Sequence, residues 1–192
     1  MENPYNEEVI VIRFDYKLLE EFSGYDRENP AEYFKAHPRS KKAPYEAIWG
    51  KKREGLIPSI NKFLNVNDRR IQATWEKHLL EYCEYCMRRQ GVKHNYIEKC
   101  IVVTINFKPT KSRSDNQNIF SKPFLDAMVE RELLKDDNYT IVRLHQEFSV
   151  VDKDDPHSEI RIYPITDEFP FEVVALQVTN DLIELHNKYF KD

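Results

Sequence analysis

The run YIEKCIVVTINF, Tyr96 to Phe107, constrains the fold more than any other stretch. Its unbroken β-branched centre, Ile101 to Ile105, makes it the clearest strand in the chain. It runs into KPTKSR, Lys108 to Arg113, which carries positive charges only, and Pro109 keeps that segment out of regular structure. Asp115, Gln117 and Asn118 follow at the entrance to a helix predicted to begin near Ile119 or Ser121. Pro123 is tolerated in its first turn, where the missing N–H is an orphan in any case. Phe120, Phe124, Ala127 and Met128 recur at helical spacing and should face the core, whereas Lys122 and Asp126, four apart, meet on another face. The helix should end near Leu134. Lys135 and the Asp136-Asp137 pair then lead into a second strand, Tyr139 to Val151. This strand, helix, strand order predicts an α/β domain with a mixed β-sheet flanked by helices, its strand order open.

The rest of the chain supplies scaffold. Glu8 to Phe14, EVIVIRF, is a further strand. Residues 15–55 form an N-terminal insertion rich in Tyr, Phe and Pro, with one or two short helices. Its aromatics Tyr25, Tyr33, Phe34, Tyr45 and Trp49 either plug the sheet or a dimer seam or, interleaved with Arg39, Lys41 and Lys42, stack on unpaired bases. Pro58, Ser59 and Asn61 carry turn chemistry. From Asp68 to Gln90 a long amphipathic helix is predicted, with Ile71, Trp75, Leu79, Tyr82 or Cys83, and Cys86 on one stripe and Gly91 as its stop. Beyond Val151, the acids Asp152, Asp154 and Asp155 fit a solvated hairpin tip leading to a third strand, Ser158 to Tyr163. A C-terminal helical extension over 167–192 presents Phe171, Val174, Val178, Leu185 and Tyr189 for packing on the sheet or a second subunit, the sheet being the simpler choice.

At 192 residues the chain is expected to be a single domain, 1–192, with globular apolar and charged fractions of 41% and 32%. The formal charge of −4 speaks mildly against a nucleic-acid partner, yet local distribution can override the sum, and basic residues gather at Lys51 to Arg53, Arg69 and Arg70, Arg88 and Arg89, and Lys108 to Arg113. Cys83, Cys86 and Cys100 make no disulfide framework, and with no secretory signal or membrane-length apolar run the expected location is cytoplasmic. The C-E-Y-C spacing could suggest zinc, but Cys83 and Cys86 lie in a helical pattern and fit buried thiols better. Four glycines leave no phosphate-cradling loop and hence no nucleotide cofactor, and the six histidines do not cluster.

An Asp in a loop after a strand, a lysine in the helix and a second Asp before the next strand can converge on one point. Hard carboxylate oxygens suit Mg²⁺, and an adjacent lysine with a basic loop suits a phosphate oxygen. Together they describe metal-assisted phosphodiester hydrolysis. In RSDNQN, Lys122, FLDAM and LLKDDNYTIV, with LIPSINKFLN at Leu56 to Asn65, the chain resembles the RusA-like family of Holliday-junction resolvases (crossover junction endodeoxyribonucleases), over a core of about 56–163. The resemblance implies a homodimer that cuts branched DNA, a four-way junction, with Mg²⁺ or Mn²⁺ as its cofactor. It implies Asp115, Lys122 and Asp137 as catalytic residues. Asp115, Gln117 and Asp137 would hold metal, with Asp136 assisting. Lys108, Lys111, Arg113, Arg69 and Arg70 would contact the DNA backbone, and Asn118 and Asp126 would support, Asp126 by orienting Lys122. The chain departs from the family pattern where Gln117 replaces the second acid. A neutral carbonyl there lowers the charge facing the metal. Two other outcomes stay open: a branched-DNA-binding protein with weakened or absent cleavage, and a protein-interaction module on the same scaffold.

Overall fold

The computed structural model describes residues 9–25, 29–39, 64–65, 67–93, 95–110 and 121–190. Among these lie strands β1 (Ile10–Asp15), β2 (Cys100–Lys108), β3 (Val142–Val151) and β4 (His157–Pro164) and helices α1 (Tyr16–Ser23), α2 (Pro30–Ala36), α3 (Arg69–Arg89), α4 (Lys122–Glu130) and α5 (Phe171–Tyr189), in the order β1-α1-α2-α3-β2-α4-β3-β4-α5. The strands form one mixed sheet in the order β1-β4-β2-β3. β4 runs antiparallel to β1 and β2, while β2 and β3 are parallel. Parallel neighbours need a crossover, and the segment containing α4 is that crossover.

Helix ends follow local chemistry. The Asp15 carboxylate accepts the Leu18 N–H at 2.8 Å to open α1, and Gly24, at φ 67°, closes it. Asp68 opens α3 by accepting the Arg70 N–H at 2.8 Å. α4 ends at Glu130, earlier than the helical pattern predicts. Glu132 adopts φ 56°, and the N–H groups of Leu133 and Leu134 both return to the Met128 carbonyl. Both leucines are buried, so they continue the apolar pattern from inside a turn. β2 likewise starts at Cys100 rather than Tyr96, because Tyr96 sits at φ 46° and Ile97 makes only an isolated bridge with Leu134.

Strand alternation divides the core between the two faces of the sheet. Ile101, Val103, Ile105 and Phe107 pack with Tyr163 and with Val174, Val178 and Leu185 of α5, so the last helix covers the sheet. On the other face Ile12, Phe14, Ile160, Ile162 and Val102 meet Leu79, Tyr82, Cys83 and Cys86 of α3 and Phe124, Ala127 and Met128 of α4. Phe14 is the keystone of that layer. It is fully buried, with ring centroids 5.0 Å from Phe124 and 5.9 Å from Tyr82. Burial pushes the thiol of Cys83 well up and those of Cys86 and Cys100 to about 12, which makes them inert core side chains. Within residues 15–55, Tyr25 and Tyr33 are buried in the core and stack edge to face at 5.2 Å; residues 40–63, with Tyr45 and Trp49, lie outside the described residues.

The link after β3 is not a hairpin. β2 lies between β3 and β4, so residues 152–156 cross the end of β2 instead of joining neighbours. Two of its acids have side-chain partners. Asp152 accepts the N–H groups of Asp154 and Asp155 and the Tyr189 hydroxyl, and Asp155 binds Arg13 in bidentate fashion at 2.6 and 3.1 Å.

Candidate functional site

α4 carries the lysine singled out above on its solvent side. The Lys122 Nζ donates to both carboxylate oxygens of Asp126, at 2.7 and 3.0 Å, the pair that four-residue helical spacing allows. The same Nζ lies 3.7 Å from Asp137 Oδ2, on the segment between α4 and β3. The Asp126 hydrogen bond raises the lysine pKa against a smaller opposing effect of burial, and the charges of Asp126, Asp137 and Glu76 on α3 raise it further. The ammonium is therefore firmly protonated. Arg69 and Arg70, both exposed, stand one to two turns N-terminal of Glu76, about 10 Å along the helix axis.

The two acids before β3 have different surroundings. Asp136 is committed to its own turn: Oδ1 accepts the N–H groups of Asp137 at 2.7 Å and Asn138 at 3.2 Å, and Oδ2 accepts the Asn138 amide at 2.7 Å. Burial pushes its pKa up, but those hydrogen bonds outweigh it and hold the carboxyl below its usual range. Asp137 keeps its carboxylate without a hydrogen bond among the described residues, and its side chain is about one-third exposed (34%). Of the pair, Asp137 is the one with oxygens to spare for a hard cation, while Asp136 shapes the backbone that presents it.

Sequence reasoning named only Lys108 from a second group of polar residues, on the sheet itself. On the face shared with α3 and α4, β2 begins apolar at Cys100 and Val102 and turns polar at Thr104, Asn106 and Lys108, all buried. The register sets His145, Glu147 and Ser149 of β3 and Ser158 of β4 on the same face. Thr104 Oγ1 meets His145 Nε2 at 3.0 Å, and burial lowers the His145 pKa. Ser158 donates to Asn106 Oδ1. The Ser121 hydroxyl, immediately before Lys122, donates to Glu147 Oε1 at 3.4 Å and so ties the start of α4 to this patch. The signal available in sequence was the T-I-N-F-K end of β2, where every second residue on one face is polar. The patch lies toward the carboxyl ends of two parallel strands, the usual side for ligands in sheets of this kind.

Of the predicted site residues, the fold thus gathers Lys122, Asp126 and Asp137 at one place, with Asp136 behind them. Lys108 is not part of an exposed basic loop but is the last residue of β2, 8% exposed, and burial lowers its pKa. Arg69 and Arg70 sit at the start of α3, where Arg70 lies 3.5 Å from Asp68. Lys111, Arg113, Asp115, Gln117 and Asn118 lie outside the described residues, as do Lys51 to Arg53. Among the described residues no cluster of three His, Cys, Asp or Glu forms a metal cage, and no helix is long and apolar enough to cross a membrane. No protein-family model matches the chain, and no curated protein matches it in sequence.

Proposed function

We propose that the protein is a Mg²⁺-dependent endonuclease that hydrolyses phosphodiester bonds in branched DNA, a four-way junction, as a homodimer. One observation carries this reading: the Lys122 ammonium stands 3.7 Å from the Asp137 carboxylate although fifteen positions separate them in sequence. Lysine, motif acid and supporting acid thereby share one exposed site, which is part of the juxtaposition the family resemblance implies; its other acid, Asp115, lies outside the described residues.

In this reading Asp137 and Asp115 supply the anionic oxygens for the cation, Gln117 a neutral one, and Mn²⁺ can substitute. The donor chemistry at Asp137 fits, since its oxygens are accessible and hard. A cation held there would supply positive charge that offsets the negative charge of the phosphate being cleaved. Asp126 is a positioning residue: its two contacts restrict the Lys122 chain and keep the ammonium charged, so that it can face a non-bridging phosphate oxygen. Arg69 and Arg70, with Lys111 and Arg113, would follow the backbone without reading bases.

The test is cleavage of a synthetic four-way junction in Mg²⁺ or Mn²⁺, with Asp115→Asn and Asp137→Asn as controls. Nicking by the wild type that both substitutions abolish supports the reading; a linear duplex cut equally well refutes the junction preference. Binding without cleavage is a second reading with its own support. Gln117 brings no charge and Asp136 is occupied by its turn, so fewer anionic oxygens face a metal than in a site with three free acids. Retained junction affinity with no nicking, restored by Gln117→Asp, would identify it.

A further inference from the structure

Lys108 occupies an unusual place for a cation. With 8% of its surface exposed at the end of β2, it has no ion pair among the described residues, and burial alone accounts for its lowered pKa. An uncompensated buried charge costs several kcal/mol in general, so such a group is normally paired or neutralised.

Its neighbours on that face are donors. Asn106, two residues earlier, has its carbonyl oxygen taken by the Ser158 hydroxyl, which leaves its amide N–H groups to donate. Ser149, opposite Asn106 in the register, has a buried hydroxyl with no hydrogen-bond partner among the described residues. From strand spacing, the Cα atoms of Lys108 and Ser149 are about 8 Å apart on one face, a separation that a lysine and a serine side chain can span through a shared tetrahedral oxyanion. The nearest acid on the same face, Glu147, lies one row further from the strand ends and accepts from Ser121. An ammonium, amide N–H groups and a hydroxyl free to donate, with no carboxylate among them, suit a ligand that has several acceptor oxygens and a negative charge.

We propose that this corner of the sheet is a receptor for one phosphate group, held by Lys108 with Ser149 and Asn106, and that in function the phosphate belongs to a DNA strand. The site deepens the nuclease reading by adding a phosphate subsite apart from Lys122, but its first test involves neither DNA nor metal.

Thermal unfolding of the full chain is followed in chloride and in inorganic phosphate at matched ionic strength, for the wild type, Lys108→Met and Ser149→Ala. Phosphate is expected to raise the wild-type Tm and to leave Lys108→Met unmoved, with affinity for phosphate weakened about tenfold or more, the size of a lost charge-assisted hydrogen bond. Ser149→Ala should show a smaller shift than the wild type. In chloride, Lys108→Met should unfold no earlier than the wild type, because it removes a buried charge that has no ion pair among the described residues. A wild-type Tm indifferent to phosphate overturns the proposal, as does an undiminished shift in Lys108→Met. A Lys108→Met protein that is destabilised equally in both buffers shows that the lysine pairs with a carboxylate of its own chain, which overturns it too. In a second arm, metal-free junction binding by Lys108→Met should lose about one unit of salt slope. An unchanged slope with phosphate binding lost assigns the site to free phosphate and overturns the DNA assignment. A protein that cuts no junction can still pass the phosphate test, so the two readings fail separately.

Discussion

Asp137→Asn separates a functional role from a structural one, because its expected cost to stability is small. At 3.7 Å the Lys122–Asp137 attraction is worth about 1 kcal/mol in bulk water. The lysine side chain is 64% and the aspartate 34% exposed, and Lys122 keeps its closer partner Asp126 at 2.7 Å, so solvent screening reduces the net loss further. For a chain of this size a loss below about 1 kcal/mol lowers Tm by less than about 4 °C. The turn at residues 136–138 is untouched in this variant, because the carboxylate of Asp136 rather than that of Asp137 anchors it. Catalysis should respond very differently: removing a charge that the reaction depends on is expected to lower the cleavage rate about a hundredfold or more. The assay is single-turnover nicking of a labelled four-way junction, run beside thermal unfolding of the same preparation. A rate within about threefold of wild type, about 0.6 kcal/mol, would remove Asp137 from the site. A Tm drop well beyond that bound would make it a structural residue instead. Either result refutes the reasoning.

Other consequences concern the scaffold. Phe14→Ala should lower unfolding stability by about 3 to 5 kcal/mol in urea titration, since it empties the space between Tyr82 and Phe124 on a fully buried strand position. All three cysteines should resist a thiol reagent in the native protein and react together once unfolded, because each is buried with a raised pKa; rapid native labelling would contradict the packing of α3 on the sheet. His145, whose folded pKa is depressed by burial below the ordinary 6.5, binds a proton less readily when folded than when unfolded. Its contribution is therefore intact above about pH 6.5 and is lost as pH falls from there through the folded value. His78 acts in the same direction, so His145→Gln should flatten only part of the fall in stability between about pH 7.5 and pH 5, measured by denaturant titration.

What local sequence determined was the identity of the elements and the orientation of their faces. The β-branched centre of β2, the stripe of Leu79, Tyr82, Cys83 and Cys86, the Val174, Val178 and Leu185 stripe and the four-residue spacing of Lys122 and Asp126 all follow from periods of two and 3.6 residues, which neighbouring residues set. Element ends were less legible where buried leucines or a residue at positive φ closed a segment, as at Glu132 and Tyr96, since the apolar pattern there continues through a turn. Strand order belongs to the tertiary structure. The acidic link after β3 has the composition of a hairpin turn whether it joins neighbours or crosses a strand, and only the pairing of β4 with both β1 and β2 decides between them. That same arrangement carries Asp137 to Lys122, sets Glu147 and Ser149 beside the polar end of β2 and buries Lys108. These contacts join residues far apart in the chain, and their energy depends on which surfaces exclude water together, a property that no short window of residues possesses.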